Sequence, residues 1–310
     1  MTTQTNNNHN LWGTFLVFTS GLLYGMIGYF GIKLFEQGYS VPSMLFWRFL
    51  VASAWMLLVC AVLRTPRRRL QRQKSRAGLM LQLAAIGSIS YAGGSSFFYL
   101  SSLHIGTGPA MVIFFSFPVF VMLFSVYFKR ARINRYMILS LLMVMSGLIL
   151  LNGGGSHDLN IVGILLALIA AFSYGVYVYY SHHSSKQADS LPLTLYICLG
   201  CSLIFLFFSL ITHTFQWPVT LRAWRDILIL GVLATAIPIQ LLLKGLKYIS
   251  SVKASILSVM EPLTTVVVGV LLLHESLSTM QLTGIVIVLS GAIAIQFEKQ
   301  PDINIEAPLK

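Results

Sequence analysis

The chain has 310 residues, of which 56% are hydrophobic and only 10% are charged, and its net charge is +12. A soluble domain carries about 25% charged residues, so this chain has too little polar surface to face water and belongs in a membrane. The basic residues lie in short segments beside hydrophobic runs, with no recognition module, so we expect no nucleic acid as a partner. All three cysteines lie in apolar runs, which argues against a disulfide framework or a metal site.

Long apolar runs divide the sequence, and each membrane-spanning helix needs about 20 such residues. Seven of these runs are uninterrupted and long enough to span a membrane, and an eighth, at 227–243, is slightly short. Two further apolar segments each contain one charged residue: Arg48 lies within about 43–63, and Glu261 lies within 254–273. Together with the uninterrupted runs these segments predict ten transmembrane helices. The uninterrupted runs are 10–32, 77–103, 105–128, 136–156, 159–181, 190–212 and 276–297.

The distribution of positive charge predicts how these spans are oriented. If the N-terminus lies in the cytoplasm, nearly all of the 21 Lys and Arg residues fall in cytoplasmic segments, including the run Arg67–Arg76. Only Lys33, Arg222 and Arg225 fall outside, while Arg48 lies within a span. Cytoplasmic loops of membrane proteins carry the excess of Lys and Arg. We therefore expect a multi-pass protein with both termini in the cytoplasm. The sequence shows no targeting extension, so we expect the cell inner membrane of a bacterium, with a eukaryotic internal membrane as the alternative.

Two halves of the sequence match each other when one is shifted along the other. A shift of 150 residues superimposes the early helices, and a shift of 144 superimposes the later ones. Such ordered matches indicate a duplication. Because each copy would contain five helices, an odd number, the second copy must enter the membrane from the opposite face, as in transporters built from inverted repeats. The matched pairs include Gly13 with Gly163, Pro42 with Pro192, Ile105 with Ile249, and Pro118 with Pro262.

Several short motifs occur in an order that resembles the EamA-type exporters of the drug/metabolite transporter superfamily. These motifs are Trp47-Arg48-Phe49, Ser116-Phe117-Pro118, Met260-Glu261-Pro262, His274-Glu275-Ser276-Leu277 with Gln281 and Gly284, and Ser290-Gly291. The segment Lys129-Arg130-Ala131-Arg132 departs from the family pattern, which often has an acidic residue there. The resemblance implies an all-α membrane fold of ten helices in two inverted five-helix repeats, at 11–151 and 161–297. Residues 1–10 and 298–310 would then be cytoplasmic tails.

The resemblance also implies a function, namely efflux of small metabolites such as amino acids, their derivatives or amphipathic compounds. We expect a secondary transporter that works by alternating access, with a small-molecule substrate and the lipid bilayer as its partners. No nucleotide-binding loop, metal motif or catalytic triad occurs in the sequence, so we expect no ATP, no cofactor and no enzyme activity. A proton-coupled or exchange importer is an alternative, and so is a membrane-embedded enzyme or a scaffold subunit.

The two charges within spans are the first candidates for transport residues. A carboxylate at the depth of Glu261 costs several kcal/mol unless it is paired, protonated or hydrated. It is either a substrate or proton site, with protons as a candidate coupling ion, or a structural partner for a neighbouring helix. Arg48 either extends its side chain to the outer headgroups or binds a substrate carboxylate, which matches a guanidinium in bidentate fashion.

Polar and aromatic residues at helical spacing predict a pathway through the interior. Polar faces turn inward because lipid gives no hydrophobic drive for helix association, and aromatic rings can stack on amphipathic solutes. Taken singly, each tyrosine could instead belong to an interfacial belt or join two helices. The predicted pathway residues besides Arg48 and Glu261 are Tyr24, Tyr91, Ser95, Phe98, Tyr99, Tyr174, Tyr177, Gln240 and Ser258.

Glycines and prolines within the spans are candidates for gating or packing. Gly21 and Gly25 form a GxxxG pair, which permits close helix approach. Gly93 and Gly94 are adjacent, and adjacent glycines weaken a helix, so they are predicted to form a hinge. Two prolines complete this set because each removes a backbone donor from its helix: Pro118 and Pro262.

Overall fold

A computed structural model describes residues 2–62, 77–131, 133–151, 160–273 and 278–297, and every regular element within these ranges is a helix. The basic run 67–76, Arg132, the motif at 274–277 and the predicted tail 298–310 lie outside the described residues. The α-helices are α1 Thr2–Tyr24, α2 Ile27–Glu36, α3 Val41–Val62, α4 Ala77–Ile105, α5 Thr107–Phe114, α6 Phe117–Lys129, α7 Arg135–Leu151, α8 Ile161–Gln187, α9 Ser190–Ile211, α10 Leu221–Leu228, α11 Ile237–Gly245, α12 Ser251–Leu257, α13 Met260–Leu273 and α14 Thr279–Ala294.

Short irregular joints fuse several of these helices into longer rods. The π-helix Ile229–Ala236 joins α10 to α11, and the 3-10 turn Ile295–Phe297 extends α14. Within the described ranges, eight rods are long and apolar enough to cross a membrane. They are His9–Glu36, Val41–Val62, Thr107–Lys129, Ile161–Gln187, Ser190–Ile211, Leu221–Gly245, Ser251–Leu272 and Thr279–Phe297.

Two of the ten predicted spans fall outside this set of eight. The helix α7 is apolar but has only 17 residues. The helix α4 has 29 residues and contains several serines and glycines, and it is not among the eight rods. The segment predicted at 227–243 is longer than expected because the helix already begins at Leu221, where the Thr220 hydroxyl accepts a hydrogen bond from the Ala223 amide (3.1 Å).

The breaks inside the rods have identifiable causes. Pro118 and Pro262 have no N–H to donate to the carbonyl four residues earlier, and each follows a break of two residues, at 115–116 and at 258–259. The Ser258 carbonyl instead accepts from the Glu261 amide at 3.0 Å. The helix α4 runs through Gly93-Gly94 without a break, and a hinge there stays a prediction.

Contacts between glycines and neighbouring helices recur in pairs at the two offsets found in the sequence. A Cβ on Gly13 would lie 2.9 Å from Ile249 Cγ2, and a Cβ on Gly163 would lie 2.5 Å from Ile105 Cγ2. The same holds for α7 and α14, where a Cβ on Gly147 would lie 2.6 Å from Val288 Cγ2 and one on Gly291 would lie 3.0 Å from Val144 Cγ2. These positions need glycine because two backbones approach closely.

Helices from residues 2–151, the first half, interleave with helices from residues 160–297, the second half. The helix α4 packs on α8, α1 packs on α11, α3 packs on α9, and α7 packs on α14. The buried core is continuous across both halves and includes large side chains such as Phe49, Phe117 and Tyr177. A site at the centre of the molecule is therefore built from both halves.

Candidate functional site

A cavity of about 70 Å³ lies among helices of the two halves, and most of its walls are aromatic. One water molecule needs roughly 10–15 Å³ of cavity volume measured in this way. The cavity therefore has room for several waters or for part of a small solute. Eight predicted pathway residues line it: Tyr24, Arg48, Tyr91, Ser95, Phe98, Tyr99, Tyr174 and Glu261. Gly94, predicted for gating or packing, also borders it.

Arg48 is buried, with 3% of its surface exposed, so its side chain does not reach toward headgroups. Its Nε donates a 2.7 Å hydrogen bond to the Thr235 hydroxyl, and one terminal nitrogen donates to the Tyr91 hydroxyl at 3.4 Å. Thr235 in turn donates to the Leu230 carbonyl at 2.7 Å, five residues earlier in the π-helix. The guanidinium is therefore fixed in the cavity wall by neighbours on two other helices.

Glu261 lies in the first turn of α13, directly after the break at 258–259. Its carboxylate accepts no hydrogen bond from a described side chain, and no ion pair within 4 Å joins it to Arg48. Both residues nevertheless line the same cavity. The site thus presents one fixed cation and one carboxylate that is available to a solute.

The aromatic wall is a connected set of rings centred on Tyr174. The ring centroid of Tyr174 lies 4.8 Å from that of Phe117, 5.3 Å from that of Phe114 and 5.7 Å from that of Tyr91. The Tyr24 hydroxyl is buried and has no hydrogen-bond partner in bonding geometry among the described residues. This wall can stack on a flat solute and can hydrogen-bond to it through hydroxyls.

Three predicted pathway residues do not line the cavity. Tyr177 is fully buried behind the wall, where its ring centroid lies 4.8 Å from that of Tyr91. Gln240 accepts from Thr194 at 2.8 Å and thereby joins α11 to α9. Ser258 is buried, and its hydroxyl donates to the Ala254 carbonyl of its own segment at 3.0 Å.

The predicted gating residues mostly lie at close helix contacts. A Cβ on Gly21 would lie 2.9 Å from Met260 Cβ, and one on Gly25 would lie 2.7 Å from the Glu261 carbonyl oxygen. A Cβ on Gly93 would be in ordinary contact with Ser173, at 3.5 Å. Gly21 and Gly25 let α1 approach its neighbours closely, and Pro118 and Pro262 are both buried beside the breaks.

Sequence reasoning missed Thr235 and four lining residues: Ile27, Met111, Phe114 and Phe115. The four are apolar, and in a membrane protein nothing in their sequence context separates a cavity wall from a lipid-facing surface. Thr235 could have been predicted from the internal repeat. It lies 144 residues after Tyr91 and so occupies the matching position in the second half.

Comparison with known proteins identifies the family. The model of the EamA-like transporter family matches residues 11–153 and again residues 161–297. The chain belongs to the EamA-like transporter family. The resemblance found in the motifs is thereby confirmed, and the chain contains two copies of the EamA-like unit. Each copy contributes side chains to the cavity, Arg48 from the first and Glu261 from the second.

Curated relatives of this EamA-like chain carry transporter names. It is 23% identical to the uncharacterized transporter YcbK of Bacillus subtilis (strain 168) over 258 residues. The matched region covers 81% of each chain. It is 22% identical over 293 residues to an uncharacterized transporter of Clostridium kluyveri, covering 91% of this chain and 92% of that one. A solved crystal structure has the same fold, with a TM-score of 0.74 at 18% identity over 91% of this chain and 95% of the other. These names indicate a transporter rather than an enzyme.

Proposed function

We propose that the protein is a secondary transporter that exports small organic metabolites through the central cavity by alternating access. The observation that carries the proposal is the joint construction of the cavity. Tyr24, Arg48 and Tyr91 come from the first EamA-like unit, and Tyr174 and Glu261 come from the second. A site shared by two units changes its access when one unit rocks against the other.

We further propose ten membrane-spanning helices in two inverted five-helix repeats. The reciprocal contacts support this plan. Gly13 of the first half contacts Ile249 of the second half, and the matching Gly163 of the second half contacts Ile105 of the first half. The helix pairs follow the same rule. The contact of α1 with α11 corresponds to that of α8 with α4, while α3 with α9 and α7 with α14 each correspond to themselves. A twofold axis between the units produces such exchange.

The distribution of positive charge supports an orientation in which both termini lie in the cytoplasm. Seven described basic residues lie near helix ends that fall on one side in the proposed topology: Lys129, Arg130, Arg135, Lys186, Lys244, Lys247 and Lys253. The opposite side carries Lys33, Arg222 and Arg225. The side with more positive charge is the cytoplasmic one.

The chemistry of the cavity favours a small solute with both polar and flat apolar parts. Arg48 supplies a cationic side, Glu261 an anionic side, and the tyrosines supply faces and hydroxyls. Amino acids, their derivatives and amphipathic cations combine these properties. Glu261 is also the group through which protons would couple to transport, because protonation changes its charge inside the cavity.

The test is a ligand screen followed by transport. Purified protein is heated with amino acids, polyamines, nucleosides or aromatic cations, and a bound solute raises the unfolding temperature because it binds the folded state. Each hit is then loaded into proteoliposomes, and its release is compared with that from protein-free vesicles. If no hit moves faster through protein-containing vesicles, the transporter proposal is wrong.

A further inference from the structure

A row of aromatic rings follows the seam between α6 and α8, away from the central cavity. The two helices approach closely here, since a Cβ on Gly175 would lie 3.0 Å from Phe120 Cβ. Neighbouring rings of the row have centroids between 5.5 and 6.4 Å apart. The aromatic row consists of Phe120, Phe124, Phe128, Phe172 and Tyr179.

The aromatic row faces outward and runs along the helices. Phe172 is 47% exposed and Phe128 is 66% exposed, and neither lines the cavity. The members on α6 are four residues apart, so they follow one face of the helix over about 12 Å at 1.5 Å per residue. In a membrane-spanning chain this seam is an apolar groove that lies parallel to the lipid chains.

Positive charge collects at one end of the aromatic row. The Nζ of Lys129 lies 5.4 Å from the centroid of the Tyr179 ring. Lys186 is near enough for the two ammonium groups to repel each other, and both also act on the ring of His183. Arg130 ends α6 with a left-handed φ of 50° and an exposed side chain. Because α6 and α8 end here, these groups lie at the level of lipid headgroups.

No described acidic residue neutralises this charge. Neither Lys129 nor Lys186 forms an ion pair with a described carboxylate, although Asp189 follows Lys186 by only three residues. The Tyr179 ring attracts Lys129 through its π face but carries no negative charge. Lys129 belongs to the first half and Lys186 to the second. An anion between them would remove their repulsion and join the two halves.

We propose that this groove binds one anionic phospholipid, with its phosphate between Lys129 and Lys186 and an acyl chain along the aromatic row. Basic pockets between transmembrane helices bind anionic lipid headgroups. The aromatic row selects a lipid over a free phosphate, because only a lipid brings a chain that covers the rings. The inference needs only a membrane-spanning chain, so it goes beyond the proposed transport function and does not depend on it.

Thermal unfolding of the purified chain in a neutral detergent tests the proposal. Short-chain phosphatidylglycerol is titrated in, and the unfolding temperature is expected to rise to a plateau because the lipid binds the folded state. Phosphatidylcholine with the same chains has no net charge, and inorganic phosphate has no chains. Each is expected to leave the unfolding temperature nearly unchanged. An equal rise with phosphatidylcholine, or with inorganic phosphate, would overturn the site as an anionic-lipid site.

The double variant Lys129→Gln with Lys186→Gln removes both ammonium groups. It should need at least about tenfold more phosphatidylglycerol for half of the maximal rise, since each lysine near an anionic lipid changes affinity about fivefold. Without lipid its unfolding temperature should equal or exceed that of the parent, because a repulsion is gone. Lost lipid response is thereby separated from lost folding. The control, Arg222→Gln with Lys244→Gln, removes two exposed charges elsewhere and should respond as the parent does.

A single variant tests the place of the acyl chain. Phe128→Ala removes the exposed ring beside Lys129 and should raise the half-maximal lipid concentration, whereas Phe208→Ala removes an exposed ring on α9 and should not. The proposal is overturned if Phe128→Ala binds the lipid as the parent does. It is also overturned if the double lysine variant keeps the parent's half-maximal concentration, or if its control loses the response to the same extent.

Discussion

The Nε of Arg48 lies 2.7 Å from the hydroxyl of Thr235, so a cation of the first half is anchored on the π-helix of the second. The same guanidinium reaches Tyr91 at 3.4 Å, and Tyr91 and Thr235 occupy matching positions in the two halves. Arg48 thus bonds to both members of one symmetry-related pair, whereas its own counterpart is the uncharged Cys198. An asymmetric residue placed between symmetric partners ties the two halves together.

Thr235→Val is expected to destabilise the protein. The valine keeps the shape of the side chain but removes the oxygen that accepts from Arg48, and hydrogen bonds to charged groups contribute about 1.5–3 kcal/mol. The unfolding temperature in detergent measures the loss. Thr235→Ser keeps the acceptor and should stay closer to the parent protein. Equal unfolding temperatures for Thr235→Val and the parent would mean that this bond does not hold Arg48.

The helical pattern of the sequence was sufficient to find most of the residues that line the cavity, but it also selected residues that do not line it. The Tyr91 to Tyr99 stripe on α4 lines the cavity as a set. The corresponding reasoning for Tyr177 and Ser258 chose residues on an inward face that is closed in this structure. Periodicity identifies which face of a helix turns inward along its whole length, whereas the distribution of free space depends on how the helices pack.

Other features could not be predicted from the sequence, for physical reasons. The hydrogen bond between Arg48 and Thr235 joins residues that are 187 positions apart. The π-helix needs one more residue in each turn than an α-helix, and helix packing decides whether that residue fits. Helix propensity predicts a hinge at Gly93-Gly94, and α4, which packs against α8, is continuous there. The breaks instead precede Pro118 and Pro262, where a backbone donor is missing.

Glu261→Gln is expected to impair transport while leaving the fold intact. The carboxylate accepts no hydrogen bond from a described side chain, so its removal breaks no bond of the scaffold, but a cationic solute or a proton loses its site. Loss of one charged contact of about 1.4 kcal/mol lowers the rate about tenfold. Release of a screened solute from proteoliposomes is the measurement, with and without an imposed pH gradient.

The control for this variant is Glu36→Gln, which removes an exposed carboxylate at the end of α2. Its transport rate should match that of the parent protein. If Glu261→Gln transports at the parent rate and still responds to the pH gradient, Glu261 has neither a substrate role nor a proton role.

Gly147→Ala is expected to weaken the contact between α7 and α14. The new Cβ would lie 2.6 Å from Val288 Cγ2 and 2.9 Å from both the Gly284 oxygen and the Val288 nitrogen, and the backbone atoms cannot move aside. Overpacking of this kind costs about 1–3 kcal/mol. Gly78→Ala is the matched control, because its Cβ would meet nothing within 4 Å. Unfolding temperatures of the two variants should therefore separate, and identical values would contradict the close approach of the helices.

Phe114→Ala is expected to change which solutes bind. The Phe114 ring lies 5.3 Å from both Phe98 and Tyr174, so its removal widens the cavity on its aromatic side. Small aromatic solutes lose a stacking partner worth about 0.5–1.5 kcal/mol and should give a smaller thermal shift. Larger solutes should gain in the same screen, because the enlarged space admits them. Phe208→Ala removes an exposed ring on α9 and should leave the ranking of solutes unchanged. If both variants rank the solutes as the parent does, the wall formed by Phe114 does not contact the solute.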